Sequence, residues 1–136
     1  MPFVVDASVA IAWILPDENN YRPLELAEQL GTGQAIVPHH WYSEVANALL
    51  TAERRRRITP AETTQFLGFL IDLGVETDSR PGRDNIASII TLAREHGLTV
   101  YDAIYLELAM RSGRALATLD HALRRAAATV GVKIIP

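Results

Sequence analysis

Four carboxylates stand where the chain enters or opens a helix: Asp6 in VVDAS, Glu44 in WYSEVANALL, Asp102 in TVYDAIYL and Asp120 in ATLDHAL. Two of them directly follow short apolar runs that read as parallel strands, and sheets of that kind present ligand sites at the carboxyl ends of their strands. Acids gathered there repel one another unless a cation neutralises them, and an oxygen-only ligand set suits a hard divalent ion. None of the four has an obvious basic partner on its own helix turn. The expected chemistry is therefore that of a divalent-metal site.

Each acid also has an ordinary reading. Asp6 with Ser8, and Asp120, could cap helices, since Asp and Ser are among the best N-cap residues. Asp102 follows Thr99 by three residues, a spacing like that of a capping box. Glu44 is harder to explain this way, because it borders an apolar stripe and its i+3 and i+4 neighbours are Asn47 and Ala48. A carboxylate beside a core needs a metal, a distant arginine or a water-filled cleft. Arg54, Arg55, Arg56 and Arg57 could form a path for RNA, although basic residues at a helix C-terminus also complement its dipole. His39 and His40 diverge around the start of their helix, which disfavours a shared metal, and His121 reads as a surface residue. The chain contains no GxxxxGK[ST], GxGxxG or GxSxG motif.

The elements that must position these acids alternate. Strands are expected at 3–5, 35–37, 75–77, 115–119 and 132–135. Helices are expected at 8–15, 23–30, 39–57, 60–73, 83–96, 102–111 and 121–129, several of them closed by Gly or Pro. The long helix carries Trp41, Val45, Ala48, Leu49 and Ala52 on one face, and Thr59-Pro60 marks a helix start. Regular β-α alternation argues for a parallel sheet covered by helices on both faces, built from one domain over residues 1–136.

Composition narrows the class. A chain of 136 residues with 49% hydrophobic and 21% charged residues can bury a real core. With no cysteine there is no thiolate nucleophile, disulfide framework or Cys-bound zinc. The four site acids carry more than the whole net charge of −3, so the remaining surface is nearly neutral at +1. No apolar run is long enough to span a bilayer, and none has the flanks of a signal peptide, so a cytoplasmic protein is expected.

The blocks VVDASVAIAWIL, WYSEVANALLTAERRRRIT, LTVYDAIYLELAMRSG and ALATLDHALRRAA, with a closing GVKII, resemble a PIN-domain protein. More narrowly, they resemble the VapC-type toxins of bacterial toxin–antitoxin pairs. The resemblance spans essentially the whole chain, in the family's block order. It implies a three-layer α/β fold with strand order 3-2-1-4-5, so that Asp6 and Asp120 meet where strands one and four end. It also implies an Mg2+- or Mn2+-dependent endoribonuclease that leaves 5′-phosphate and 3′-hydroxyl ends. Asp6, Glu44, Asp102 and Asp120 would be its metal-binding acids, with Ser8 and Thr118 as supporting hydroxyls. No further acid or Asn follows Asp120 within four residues, which puts a permanently held second metal in doubt.

Partners follow from the same resemblance: an RNA substrate, a cognate antitoxin and a second copy of the chain in a homodimer. The first helix is apolar all round, with Trp13 and Ile14 as candidate groove residues for the antitoxin tail. Two other functions stay open at this stage. One is a phosphohydrolase or phosphoacceptor on a similar sheet, and the other is a non-catalytic PIN-fold binding module.

Overall fold

Phe3–Val5 form strand β1, and all three residues are buried. Side chains alternate faces along a strand, so both faces of the sheet at β1 must be covered. The structure is a computed structural model that describes residues 3–15, 35–79 and 82–135, with Trp13 and Ile14 described by backbone alone. Strands β2 (Ala35–Pro38), β3 (Glu76–Asp78), β4 (Ala115–Ala117) and β5 (Ile134–Ile135) complete a five-stranded sheet. Every pairing is parallel, and the order is β3-β2-β1-β4-β5, as the resemblance implies. The fold is thus α/β, one parallel sheet between layers of helices. Edge strand β3 is short, polar and largely exposed, a form that discourages pairing with other chains.

The described helices are α1 (Ala7–Ile14), α2 (Trp41–Arg54), α3 (Pro60–Asp72), α4 (Ile86–His96), α5 (Val100–Ser112) and α6 (His121–Val130). The helix expected over 23–30 lies outside the described residues. Helix α2 buries Trp41, Val45, Leu49 and Ala52 at helical spacing and packs against α1 and α3. Helix α3 opens with Pro60 and a reciprocal capping box between Thr59 and Glu62.

Helix α5 buries seven consecutive residues, Ala103 to Ala109, because β1, β2 and β4 cover one side while α4 and α6 flank the others. Its buried Glu107 is compensated by Arg111 Nε at 2.7 Å and by Asn85 Nδ2 at 3.3 Å. Arg111 also reaches Asp78 Oδ2 at 2.7 Å, which ties the edge strand to the central helix. No helix among the described residues is long and apolar enough to cross a membrane.

Candidate active site

Strand β1 lies between β2 and β4, so the connections leaving it and β4 run to opposite sides, opening a crevice at their carboxyl ends. Val5 pairs with Ala117 in the last rung, and the Asp6 amide donates to the Ala117 carbonyl at 2.9 Å. Strand β4 therefore ends two residues earlier than the apolar run suggests, and Thr118, Leu119 and Asp120 run out into the crevice. Their polar atoms bond side chains instead of continuing the ladder. Thr118 Oγ1 donates to Asp6 Oδ2 at 2.6 Å and accepts from the Asp120 amide at 3.1 Å. Ser8 Oγ donates to the same Asp6 oxygen at 2.9 Å and accepts from the Leu119 amide at 3.1 Å. Both supporting hydroxyls thus hold one oxygen of Asp6 and leave Oδ1 without a hydrogen bond among the described residues.

The two capping readings separate here. Asp120 does cap α6, accepting from the Leu123 amide at 2.8 Å. Asp6 occupies the N-cap position of α1 but makes no side-chain cap bond. Its carboxylate is committed to the crevice instead. Asp102 lies in the first turn of α5, where its amide caps onto Thr99 Oγ1 at 3.1 Å. Glu44 lies in the first turn of α2, half-buried.

The expectation that no acid has a basic partner on its own turn is wrong for Glu44. His40, four residues earlier, places Nε2 at 3.2 Å from Glu44 Oε1. The nitrogen is close to the carboxylate oxygen without ideal hydrogen-bond alignment. Tyr105 on α5 donates its hydroxyl to the same Oε1 at 2.5 Å.

Electrostatics joins the acids into one cluster. Burial raises the Asp6 carboxyl from 3.8 to about 6. The Thr118 and Ser8 bonds pull it back down, and Glu44 and Asp102 push it further up. Asp102 is also raised, by burial first and then by Asp120 and Glu44. Burial pushes Glu44 up too, but His40 and Tyr105 outweigh it and hold the group below its ordinary value. Asp102 is thus the member that feels both sides of the cluster. Thr118 Oγ1 bridges Asp6 and the Asp120 amide where strands β1 and β4 end, and the Asp120 charge acts on Asp102.

Among the described residues, no three acids or histidines converge closely enough to grip one ion without side-chain movement. The donor set nevertheless fits a hard divalent cation. It consists of carboxylate oxygens, two of the groups raised by burial first and by neighbouring acids after it, and among the described residues no Lys or Arg is seen paired to them.

A PIN-domain family model matches residues 3–129. Ribonuclease VapC3 from Pyrobaculum aerophilum is 32% identical over 126 residues, covering 90% of this chain and 92% of that protein. The chain belongs to the PIN-domain family. The crystal structure of PAE2754, also from Pyrobaculum aerophilum, superposes with a TM-score of 0.76 at 24% identity, over 98% of this chain and 89% of that one. That likeness speaks to the fold.

The remaining candidate positions of this PIN domain fall away from the acids or outside the description. Arg54 closes α2, and Arg55, Arg56 and Arg57 follow it, all four exposed. Ten residues of helix separate Arg54 from Glu44, about 15 Å along the axis. The groove expected at Trp13 and Ile14 rests on side chains outside the described residues. Two residues at the site carried no role in the sequence reading, His40 and Tyr105. A signal for each was present: His40 stands at i−4 from Glu44, and a buried tyrosine needs a hydrogen-bond partner.

Proposed function

We propose that this PIN domain is a divalent-metal-dependent endoribonuclease of the VapC type, the toxin half of a toxin–antitoxin pair. The observation that carries the reading is the mutual electrostatic influence of Asp6 with Glu44 and Asp102, and of Asp102 with Asp120 and Glu44, near the switch point of the sheet. The relative named Ribonuclease VapC3 supplies the substrate class. Bound by these acids, Mg2+ or Mn2+ would neutralise the scissile phosphate and supply a water of lowered pKa. The chain's own residues do the positioning. Ser8 and Thr118 fix one oxygen of Asp6, the first turns of α2 and α5 present Glu44 and Asp102, and Asp120 enters from the cap of α6. No protein nucleophile is required, which agrees with the lack of cysteine.

This reading brings an RNA substrate, a cognate antitoxin that covers the site, a homodimer and a cytoplasmic location. The Trp13 and Ile14 groove and the path over Arg54, Arg55, Arg56 and Arg57 remain its proposals for the antitoxin and the RNA. Incubation of the pure protein with a structured RNA, with Mn2+ and with EDTA, tests the reading. Cleavage to 5′-phosphate ends that requires the metal is expected. A homogeneous, folded preparation that leaves every RNA intact in Mn2+ counts against it.

A further inference from the structure

The Tyr105 side chain joins three elements at the rim of the acid cluster. It projects from α5 and is fully buried. Its hydroxyl donates to Glu44 Oε1 on α2 at 2.5 Å, and its oxygen accepts from the Ala7 amide at 3.4 Å, at the junction that carries Asp6. The His40 ring stands edge-on to the Tyr105 ring with centroids 5.1 Å apart, and His40 Nε2 meets the same Oε1. Both contacts to Glu44 therefore end on one oxygen, and Oε2 has none among the described residues. The arrangement repeats that of Asp6, where two hydroxyls hold Oδ2 and Oδ1 is left over.

We infer that Tyr105 is a positioning residue for the metal-binding acids. Its hydroxyl, steadied by the Ala7 amide, turns Glu44 so that Oε2 faces the crevice, and it sets the spacing between Glu44 and Asp6. A glutamate with three side-chain torsions, repelled by Asp6 and Asp102, would otherwise swing toward water. The competing account is that a buried phenol merely satisfies its own hydrogen bond. On that account any acceptor would serve, whereas the one used is a carboxylate of the cluster. Partners that orient metal-binding groups typically affect affinity by about 10- to 100-fold.

The inference rests on the metal reading above, and the test separates the two. Mn2+ is titrated into the full chain and followed by electron paramagnetic resonance, without RNA. Tyr105→Phe keeps the ring and removes the hydroxyl, and it is expected to raise the half-saturating Mn2+ concentration about 10-fold or more. In a Glu44→Gln background, adding Tyr105→Phe is expected to change that concentration by less than about 2-fold, because the residue acts through Glu44. Tyr105→Met, which also lacks the hydroxyl and leaves Glu44 intact, is expected to show the same loss and serves if Tyr105→Phe unfolds. Wild-type-like Mn2+ binding by Tyr105→Phe overturns the inference alone, as does an equal loss in both backgrounds. A wild type that takes up no Mn2+ overturns the metal reading and this inference with it.

Discussion

Asp6 is held by two hydroxyls, yet its carboxyl sits near 6, because burial outweighs both bonds. In the metal-free protein the folded state therefore holds this proton more tightly than the unfolded chain does. The associated stability is fully present below pH 3.8 and is lost as pH rises through about 6. At 1.36 kcal/mol per pKa unit the loss is at most about 3 kcal/mol. Glu44, held low, acts with the opposite sign at lower pH. Urea unfolding in EDTA across pH 4 to 7 should show wild-type stability falling and Asp6→Asn much flatter. Parallel curves for the two proteins would mean that Asp6 does not titrate as described. Asp102 feels Asp120 and Glu44 together and, as a proposed metal ligand, should be needed for cleavage. Asp102→Asn is expected to lower cleavage by more than about 100-fold, the upper range for residues one step removed from a metal. A folded Asp102→Asn enzyme with near-normal rates would remove this acid from the mechanism.

Helix α2 serves chemistry at one end and carries strain at the other. Its first turn presents Glu44, and its last turn closes with the Arg57 amide bonded to the Ala52 carbonyl and the Arg56 amide to the Glu53 carbonyl. That pattern places Arg56 at a position favouring glycine, and its φ is 58°. A non-glycine residue there costs about 1 kcal/mol. Arg56→Gly should therefore raise the urea midpoint by an equivalent amount, where a surface change elsewhere would do little. No gain in midpoint would mean that the arginine side chain compensates its own strain. The arginine run and its distance from Glu44 were both legible in the sequence, because ten residues of helix span about 15 Å wherever the helix starts. What the sequence did not show is that His40, the N-cap residue one turn before Glu44, turns its ring onto that carboxylate.

At the scale of the whole molecule the proposed function makes the acid cluster a cost that a bound metal would remove. Crowded carboxylates weaken the metal-free fold, so Mn2+ should stabilise it. At 100 times its dissociation constant the linkage is about 2.7 kcal/mol, on the order of 10 °C in melting temperature for a chain of this size. Asp6→Asn should melt higher than wild type at pH 7 in EDTA and gain less from Mn2+. Differential scanning calorimetry of both proteins, with and without Mn2+, checks this. Equal responses would argue that the acids do not act as one ion site.

The β-α alternation, the parallel sheet and the four acids were all readable along the chain, because each is a local signal. Apolar runs of strand length, glycine and proline stops, and acids at helix starts need no knowledge of distant contacts. Family blocks such as VVDAS and TVYDAIY added the strand order. Only the folded chain decided which group meets which. Thr118 hydrogen-bonds Asp6 and receives the Asp120 amide, since β4 stops at Ala117 and the next hydroxyl points back across the last rung. Capping was a real role for Asp120 and not for Asp6, though both precede a helix. Tyr105 reached Glu44 across 61 residues of sequence. Such pairings depend on register and helix packing, which are settled by the burial of many side chains together.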